Sequence, residues 1–471
     1  TTAAIFDPHE IANVLGIKGI KLVMEDAMDI PFDAFFAASS CVPASPLETS
    51  GATLLADDLE PLFEDERVIA LAEMMNFPGV LHEDPEVHKK IKMGLRYGKV
   101  DGHCPGLRGS DLLKYISSGI SSDHESNTAE EALEKLEGGM QIYIREGSAA
   151  KNLEALLPII TPENAHKICF CTDDRHPADL RDKGHIDHII RKAIKLGLDP
   201  ILAICIATKH VADHFELNEM GAIENGKLAN LVVFDNLQNP IPKQTWHHGH
   251  LVAESRTVID IPSTTDWSVA KGSVHISSSV TQDSFAIKIQ SEPIRVIGLI
   301  PGQLLTKELH LKSTEPDILK IAVIERHHNT GNVGLGFVKG FNFCGGAIAS
   351  TVGHDAHNIA VVGDNDEDMF IAMQTLQSSG GGQCVVSNGK LLAILPLPIA
   401  GLMSDEPPEL VISQQKSVLS AIASLGCPIE DPFMPLSFLP LSVIPKLKLS
   451  DLGLVDVDQF AIVPIEVCPT D

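Results

Sequence analysis

Three short apolar runs in the first half of the chain each end in a histidine or an aspartate. They are Val100–His103, Ile120–His124 and Ile168–Asp173, and a signal for the start of a helix follows each of them. When strands of a parallel sheet alternate with helices, the residues at the carboxyl ends of the strands point into one mouth. We therefore expect His103, His124 and Asp173 to converge, and two imidazoles with a carboxylate are suitable ligands for a divalent metal ion.

Residues 1 to about 205 alternate between such apolar runs and helical stretches, a pattern typical of a parallel sheet with crossover helices. It predicts an α/β fold of the (β/α)8-barrel type with seven visible strands, so that one strand is missing. The chain begins without methionine, as if in mid-strand, and we expect the missing strand to lie upstream of residue 1; a natural truncation is the alternative. The predicted strand ends are Ile5–Asp7, Phe35–Ala37, Ile69–Leu71, Lys99–Asp101, Gly119–Ser121, Ile142–Ile144 and Ile168–Phe170.

Changes in the pattern divide the chain into three predicted domains. Residues 1–210 form the barrel, and residues 211–262 form a small β-sandwich segment that starts near Gly221. Residues 263–471 mix strands and helices and form an α+β domain, with the boundary at Pro262–Thr265.

Composition and charge favour an enzyme that acts on a small molecule. The net charge of −27 argues against a nucleic-acid partner, because binding to phosphates requires clustered Lys and Arg. The apolar stretch Leu391–Met403 is interrupted by two prolines and is too short to cross a membrane. Nine cysteines without a CxxC pair and no visible signal peptide predict a reducing, cytoplasmic location.

Two carboxylates are the main candidates for a catalytic or metal-binding role. Asp173 follows a buried run, where a carboxylate needs a metal or a histidine partner, and it could serve as the general base that takes the proton of a water molecule. Glu73 lies in the segment Leu71–Asn76, at the end of a predicted strand, and could bridge two divalent ions. An ordinary carboxylate at the start of a helix is equally compatible with its position.

Further polar residues follow the predicted strands and could contact a substrate. Glu10 and Glu146 could instead favour the start of a helix, Ser148 could cap one, and alternation along the chain would point Asp174 away from Asp173. His354 and His357 lie in a dense polar loop that could act as a lid, although a loop held by its own hydrogen bonds explains them as well. The substrate-side candidates are His9, Glu10, Glu125, Glu146, Ser148 and Asp174.

Taken together, the chain resembles the bacterial and archaeal adenine deaminases of the amidohydrolase superfamily. The resemblance extends over nearly the whole sequence. Its segments are DPHEIANVLG (7–16), SCVPASPLETSGA (40–52), EMMNFPGV (73–80), DGHCPGLRGSDL (101–112), SSDHE (121–125), IREGSAAKNLEALLP (144–158), TDDRHP (172–177), GAIENGKLANLVVFD (221–235), GAIASTVGHDAHNIAVVG (346–363) and LPLPIAGLMSDEP (395–407).

The resemblance implies a metal-dependent barrel that converts adenine to hypoxanthine and ammonia in purine salvage. It implies metal ligands at His103, His124 and Asp173, with Glu73 as the bridging carboxylate. It also implies Mn or Fe, in a binuclear centre in the full-length protein, with Zn as a further option, as well as a composite β-sandwich and a homo-oligomer. The family carries an HxH pair on its first barrel strand, and no such pair lies on the predicted strands of residues 1–210, so we expect little activity from the chain as written. His248-Gly249-His250 has the HxH pattern, but it lies beyond the barrel and a glycine-containing turn explains it better.

Two alternative functions stay open on the sequence. The same chemistry could act on an N6-substituted adenine, which requires only a roomier pocket. The chain could also be a non-catalytic or truncated relative that lacks the HxH metal pair.

Overall fold

The computed structural model describes residues 1–148, 150–255, 257–259 and 265–467. The chain forms two compact units. The N-terminal unit comprises residues 1–8, 21–40 and 55–265, and the C-terminal unit comprises residues 9–20, 41–54 and 266–471.

Seven parallel strands form two sheets in the first part of the N-terminal unit. The first four strands pair in the order β1-β2-β3-β4, and the next three pair in the order β5-β6-β7. A backbone hydrogen bond of 2.9 Å from Ser121 N to Val100 O joins the residue before β5 to β4. The strands are β1 (Ala3–Phe6), β2 (Asp33–Ala38), β3 (Val68–Met74), β4 (Lys99–Gly102), β5 (Ser122–Asp123), β6 (Gln141–Arg145) and β7 (Ile168–Cys171).

All seven predicted strands are present, but the fifth is displaced. The run Gly119–Ser121 is not a strand, because Gly119 has a φ of +100° and its N–H bonds to Ile116 O at the end of the preceding helix. Extended backbone begins only at Ser122, which places His124 directly after the strand.

Helices connect these strands, as expected for parallel pairing. Prolines and capping side chains fix where several of these helices begin. Asp84, for example, directly precedes Pro85, the first residue of a helix, and its side chain accepts hydrogen bonds from the N–H groups of Glu86 and Val87. The helices are α1 (His9–Leu15), α2 (Ile17–Asp26), α3 (Ala56–Leu59), α4 (Phe77–Leu81), α5 (Pro85–Tyr97), α6 (Gly109–Ser117), α7 (Ala129–Glu137), α8 (Leu153–Leu156), α9 (Pro177–Asp182), α10 (Ile186–Lys195), α11 (Pro200–Ile206) and α12 (Lys209–His214).

A small antiparallel sheet follows these helices. It begins later than the predicted position near Gly221, at Leu231, and its strands are ordered β11-β10-β9-β8. His248 and Gly249 form the tight turn between two of its strands, with φ values of +47° and +80°. The strands are β8 (Leu231–Val233), β9 (Gln244–His247), β10 (His250–Glu254) and β11 (Thr257–Val258).

An eight-stranded sheet dominates the C-terminal unit, in the order β13-β12-β15-β14-β17-β16-β18-β19, and a three-stranded sheet accompanies it. Only the β12–β15 pair is parallel among its described strand pairs. The strands are β12 (Ile294–Leu299), β13 (Thr306–Leu311), β14 (Ile318–Ile324), β15 (Val333–Lys339), β16 (Ala347–Ser350), β17 (Ile359–Gly363), β18 (Gly382–Ser387), β19 (Lys390–Pro396), β20 (Leu447–Ser450), β21 (Gly453–Asp456) and β22 (Ala461–Val463). The helices are α13 (Asp366–Ser379), α14 (Pro408–Ser424) and α15 (Phe433–Phe438).

Both faces of the large sheet are buried. Ile321 and Val323 of β14 pack in one apolar cluster with Val418 of α14, whereas Ala322 and Ile324 pack in the opposite cluster with α13. This division follows from the alternation of side chains along a strand. It explains why these strands are apolar at consecutive positions.

Two segments from the first sixty residues belong to the C-terminal unit, namely residues 9–20 and 41–54. Ser45 Oγ lies 2.6 Å from Ser442 Oγ, and the N–H of Thr49 donates to Asp451 Oδ1 at 2.9 Å. The predicted domains were contiguous in sequence and therefore differ from these units. The predicted boundary at Pro262–Thr265 lies mostly outside the described residues, which resume at Thr265.

Among the helices that the structure describes, none has both the length and the apolar character needed to cross a membrane.

Candidate metal centre

Five ionisable side chains lie at or just after the carboxyl ends of the parallel strands in the N-terminal unit. Glu73 lies near the end of β3, His103 and His124 directly follow β4 and β5, Arg145 ends β6, and Asp173 comes two residues after β7. Residues at this end of successive parallel strands are brought close together.

One carboxylate oxygen faces both histidines. Glu73 Oε2 lies 2.6 Å from His103 Nδ1 and 3.1 Å from His124 Nε2. The two imidazole rings meet edge to face, with 5.3 Å between their centroids. One donor atom from each of the three residues lies within 4.8 Å of the others, so the group can surround a single ion. We call these three residues the Glu73 cluster.

In the Glu73 cluster, the attraction between the carboxylate and the two imidazoles has a larger effect on their pKa values than burial has. Burial alone would raise the pKa of Glu73, but the positive charges of His124 and His103 outweigh it and hold the pKa well below its usual range. Burial likewise works to lower the pKa of His124, whereas Glu73 and Glu125 raise it to about 10. The pKa of His103 is raised by Glu125 and Glu73 against the effect of its own burial.

The donors of the Glu73 cluster fit a divalent ion. Two imidazole nitrogens and a carboxylate oxygen suit Zn, Mn or Fe. The buried Nε2 of His103 has no hydrogen-bond partner among the residues that the structure describes, so this nitrogen is available to bind a metal ion. A bound cation would take the place of the protons that Glu73 now attracts onto the imidazoles.

Arg145 links Asp173 to Glu125 beside the Glu73 cluster. Its Nη2 donates to Glu125 Oε2 at 2.9 Å, and its Nη1 contacts both Glu125 Oε1 and Asp173 Oδ2. The side chain of Arg145 is 3% exposed and that of Asp173 is 35% exposed. Burial works to raise the pKa of Asp173, but the charges of Arg145 and His124 outweigh it, so the pKa is lowered. Asp173 is therefore a carboxylate at neutral pH.

A buried lysine ties together the two turns that carry the histidines. Lys135 Nζ donates to Cys104 O at 2.9 Å, to Asp123 Oδ2 at 2.9 Å and to Glu131 Oε1 at 2.7 Å. The other oxygen of Asp123 accepts the N–H of Cys104 at 3.0 Å. Cys104 follows His103 and Asp123 precedes His124, so this network fixes the backbone on which both imidazoles depend.

Tyr115 provides a second support for His103. Its hydroxyl accepts the N–H of His103 at 2.9 Å and donates to Met74 O at 2.8 Å. Met74 is the neighbour of Glu73, so one hydroxyl holds the backbone beside two members of the Glu73 cluster.

The remaining candidates of the N-terminal unit have structural partners. Glu146 Oε1 accepts from Lys192 Nζ at 2.6 Å. Ser148 Oγ donates to Asp179 Oδ2 at 2.6 Å and accepts the N–H of His176 at 2.8 Å. The capping alternative for Ser148 is wrong for the next helix, because α8 begins at Leu153 after Asn152. A contact of Glu146, Ser148 or Asp174 with substrate stays a prediction.

The structure places His9, Glu10, His354 and His357 in the C-terminal unit. His354 Nδ1 lies 3.0 Å from Glu10 Oε1, and His357 also contacts Glu10. The side chains of His354 and His357 are buried. Their role as a lid stays a prediction.

Sequence reasoning missed Arg145 and Lys135. Arg145 follows the apolar run Ile142–Ile144 and could have been found by the strand-end argument that identified His103. Lys135 shares the face of α7 with Ala132 and Leu136, so a lysine among buried helix positions was the available signal.

The parallel strands and the imidazole–carboxylate donors at their ends define a protein of the metal-dependent hydrolase class. The model of the amidohydrolase family matches residues 1–259, and the model of the adenine deaminase C-terminal domain matches residues 303–461.

Curated relatives match almost the whole chain. An adenine deaminase of Desulfatibacillum aliphaticivorans is 46% identical over 476 residues, which cover 99% of this chain and 83% of that protein. An adenine deaminase of Brucella anthropi is 47% identical over 472 residues, which cover 98% of this chain and 83% of that protein. The crystal structure of an adenine deaminase aligns at a TM-score of 0.37 and 14% identity, over 53% of this chain and 78% of that chain. On the sequence matches, the chain belongs to the amidohydrolase family and, within it, to the adenine deaminases.

Proposed function

We propose that this protein is a metal-dependent hydrolase that converts adenine and water to hypoxanthine and ammonia. The observation that carries the proposal is the Glu73 cluster, with Asp173 held beside it by Arg145. The likeness to curated adenine deaminases over nearly the full chain supports adenine as the substrate. We assign the (β/α)8-barrel architecture on the basis of the seven parallel strands and the family match.

The ligands of the metal centre in this proposal are Glu73, His103, His124 and Asp173. Mn or Fe is the proposed metal, with Zn as the alternative, and these four side chains would hold it. A divalent ion in such a site supplies Lewis acidity, which makes water a competent nucleophile at neutral pH.

Asp173 moves the proton in the proposed reaction. The water oxygen attacks C6 of adenine, and Asp173 accepts a water proton and delivers it to the departing amino group, which leaves as ammonia. The lowered pKa of Asp173 keeps it ionised and able to accept that proton. Arg145 also fixes the direction of this carboxylate, because its guanidinium holds Asp173 Oδ2 and both oxygens of Glu125.

Replacement of Asp173 by asparagine tests this role. Asp173→Asn keeps the shape of the side chain but cannot accept a proton, so we expect the rate of ammonia release from adenine to fall by about 10²–10⁴-fold. Metal content is measured on the same samples, because Asp173 is also a proposed ligand. Asp182→Asn, which changes an exposed carboxylate of the same segment, is the matched control and retains full activity.

Near-normal turnover by Asp173→Asn with unchanged metal content would exclude Asp173 as the proton carrier. Absence of hypoxanthine from the metal-loaded protein extended upstream of residue 1, when adenine is supplied, would overturn the proposed function itself, whereas little activity is expected from residues 1–471 alone. Release of methylamine from N6-methyladenine under the same conditions would move the assignment to N6-substituted adenines.

A further inference from the structure

A second group of imidazoles and carboxylates lies entirely within the C-terminal unit. Glu10 Oε1 is 3.0 Å from His354 Nδ1 and 3.3 Å from His9 Nε2, and His354 Nδ1 is 3.6 Å from Asp355 Oδ1. One donor atom from each of His9, His354 and Asp355 lies within 4.8 Å of the others. We call His9, Glu10, His354 and Asp355 the Glu10 cluster.

His357 orients the central carboxylate of the Glu10 cluster. Its Nδ1 accepts the N–H of Gly353 at 3.2 Å, so a neutral His357 carries its proton on Nε2. That Nε2 contacts Glu10 Oε2. The other oxygen, Oε1, is thereby directed at His354 and His9. Carboxylates that bind metal ions are themselves held by hydrogen bonds from surrounding groups, and His357 has that position here.

The imidazole of His354 is also held in place. Its ring stacks on Phe438 with 4.3 Å between centroids and 11° between planes. Its backbone N–H donates to Ser437 O at 2.7 Å. The direction of Nδ1 is therefore fixed by packing as well as by charge.

The Glu10 cluster contains buried negative charge that is only partly compensated. Asp355 is 1% exposed, and its Oδ2 has no hydrogen-bond partner among the residues that the structure describes. The negative charge of Asp355 also affects Glu48. Burial, and after it the charge of Asp355, raises the pKa of Glu48 well above its usual range. A buried carboxylate without full compensation is costly, and a cation removes that cost.

We propose that the Glu10 cluster binds one divalent transition-metal ion through His9 Nε2, His354 Nδ1 and the carboxylates of Glu10 and Asp355. Two imidazole nitrogens and two carboxylate oxygens suit Zn, Mn or Fe. The ion would join the start of α1 to the 353–358 loop, which lie far apart in the sequence, so its binding contributes to the stability of the C-terminal unit. In this role His9 and Glu10 are metal ligands rather than contacts for the substrate.

Metal analysis of the whole chain tests this site independently of catalysis. Protein stripped of metal is loaded with Zn²⁺ alone, and the bound equivalents are counted in wild type, in His354→Gln and in Asp355→Asn. The same substitutions are repeated in a His103→Ala/His124→Ala background, in which the Glu73 cluster has lost its imidazoles. We expect each substitution to remove one equivalent of Zn²⁺ in both backgrounds.

The matched control is His310→Gln, which changes a histidine of the same unit that also pairs with a carboxylate, Glu308, but whose side chain is exposed. It should leave the count unchanged. His357→Gln, which removes the group that orients Glu10, should weaken binding at this site by about 10–100-fold without abolishing it.

Unchanged Zn²⁺ equivalents in both His354→Gln and Asp355→Asn would overturn the proposal and leave the Glu10 cluster as an ion-pair network. Thermal unfolding provides a second measurement if one variant folds poorly. Zn²⁺ should raise the Tm of the His103→Ala/His124→Ala protein, and this rise should be absent when Asp355→Asn is added. An equal rise in both proteins would also contradict the site.

Discussion

Each unit contains a fully buried lysine, Lys135 in one and Lys448 in the other, and their pKa values shift in opposite directions. Lys135 of the N-terminal unit donates to two carboxylates and one carbonyl. Lys448 of the C-terminal unit donates to two carbonyls, Leu304 O and Phe438 O, each at 3.0 Å. Burial works to lower the pKa of Lys135, but Asp123, Cys104 and Glu131 raise it, whereas burial lowers the pKa of Lys448 to about 7.

The difference is that charged partners outweigh the effect of burial on the pKa of Lys135, whereas the two neutral carbonyls leave that effect uncompensated at Lys448. Lys135 is a fixed cation within a network that supports His103 and His124. Lys448 has a pKa near neutral pH, so its charged and neutral forms are similar in population there, and its amine donates to two main-chain carbonyls. The substitutions below should affect the two regions very differently.

The largest effect is expected at Lys135. Lys135→Met leaves the buried carboxylates of Asp123 and Glu131 without their cation, and loss of one partner from a buried ion pair costs about 3–5 kcal/mol. The free energy of unfolding in urea measures this loss. Metal binding by the Glu73 cluster should weaken in the same variant, because the turns after β4 and β5 lose their common donor.

Lys89→Met is the control for Lys135, since Lys89 pairs with Asp57 on the surface. It should change neither stability nor metal binding appreciably. A stability loss at Lys135 no larger than that at Lys89 would contradict the role of the buried network.

A smaller effect is expected at Tyr115. Tyr115→Phe leaves the N–H of His103 and the carbonyl of Met74 buried without the hydroxyl, which costs about 1–3 kcal/mol for an unsatisfied group. Urea unfolding measures the cost, and metal titration should show weaker binding at the Glu73 cluster. Tyr97→Phe, which removes an exposed hydroxyl bonded to Glu60, is the control. Equal metal affinity in both variants would show that the Tyr115 hydroxyl does not position His103.

The smallest effect is expected at Lys448, and it should depend on pH. Lys448→Met removes two neutral hydrogen bonds, worth about 0.5–1.5 kcal/mol each, but it also removes the cost of burying an amine. The pKa of Lys448 is about 7 in the folded protein, whereas the ordinary pKa of a lysine is 10.5. Between these values the unfolded chain binds more protons than the folded chain, so the contribution of Lys448 to stability rises with pH.

Urea unfolding of wild type and Lys448→Met at several pH values checks this sign. The stability of the wild type relative to the variant should be highest near pH 10.5 and should decline as the pH falls toward 7. A difference that is independent of pH, or one that grows as the pH falls, would show that Lys448 stays charged in the folded protein, as Lys135 does.

The sequence predicted the residues that depend on local pattern and missed those that depend on distant partners. A strand followed by a polar residue is visible in the chain, so Glu73, His103, His124 and Asp173 could be named, and the structure brings the first three together. The contacts of Lys135 with Cys104 and Asp123 join residues from different crossovers. Periodicity along one helix does not reveal such partners.

The same limit applies to the division of the chain. The association of residues 41–54 with the C-terminal unit rests on contacts such as Ser45 with Ser442, across almost the whole sequence. The displaced fifth strand has a local cause instead, since the left-handed Gly119 delays the extended backbone to Ser122. The pattern of apolar residues gave the number of strands, and the glycine decided where this one begins.

The central claim is that the Glu73 cluster binds the catalytic metal. Anomalous diffraction from crystals of the Mn²⁺-loaded protein, recorded on both sides of the manganese absorption edge, tests it most directly. We expect a peak at ligand-bond distance from the imidazole nitrogens of His103 and His124 and the carboxylate of Glu73. A fully active, Mn²⁺-loaded protein without a peak among these three side chains would contradict the account.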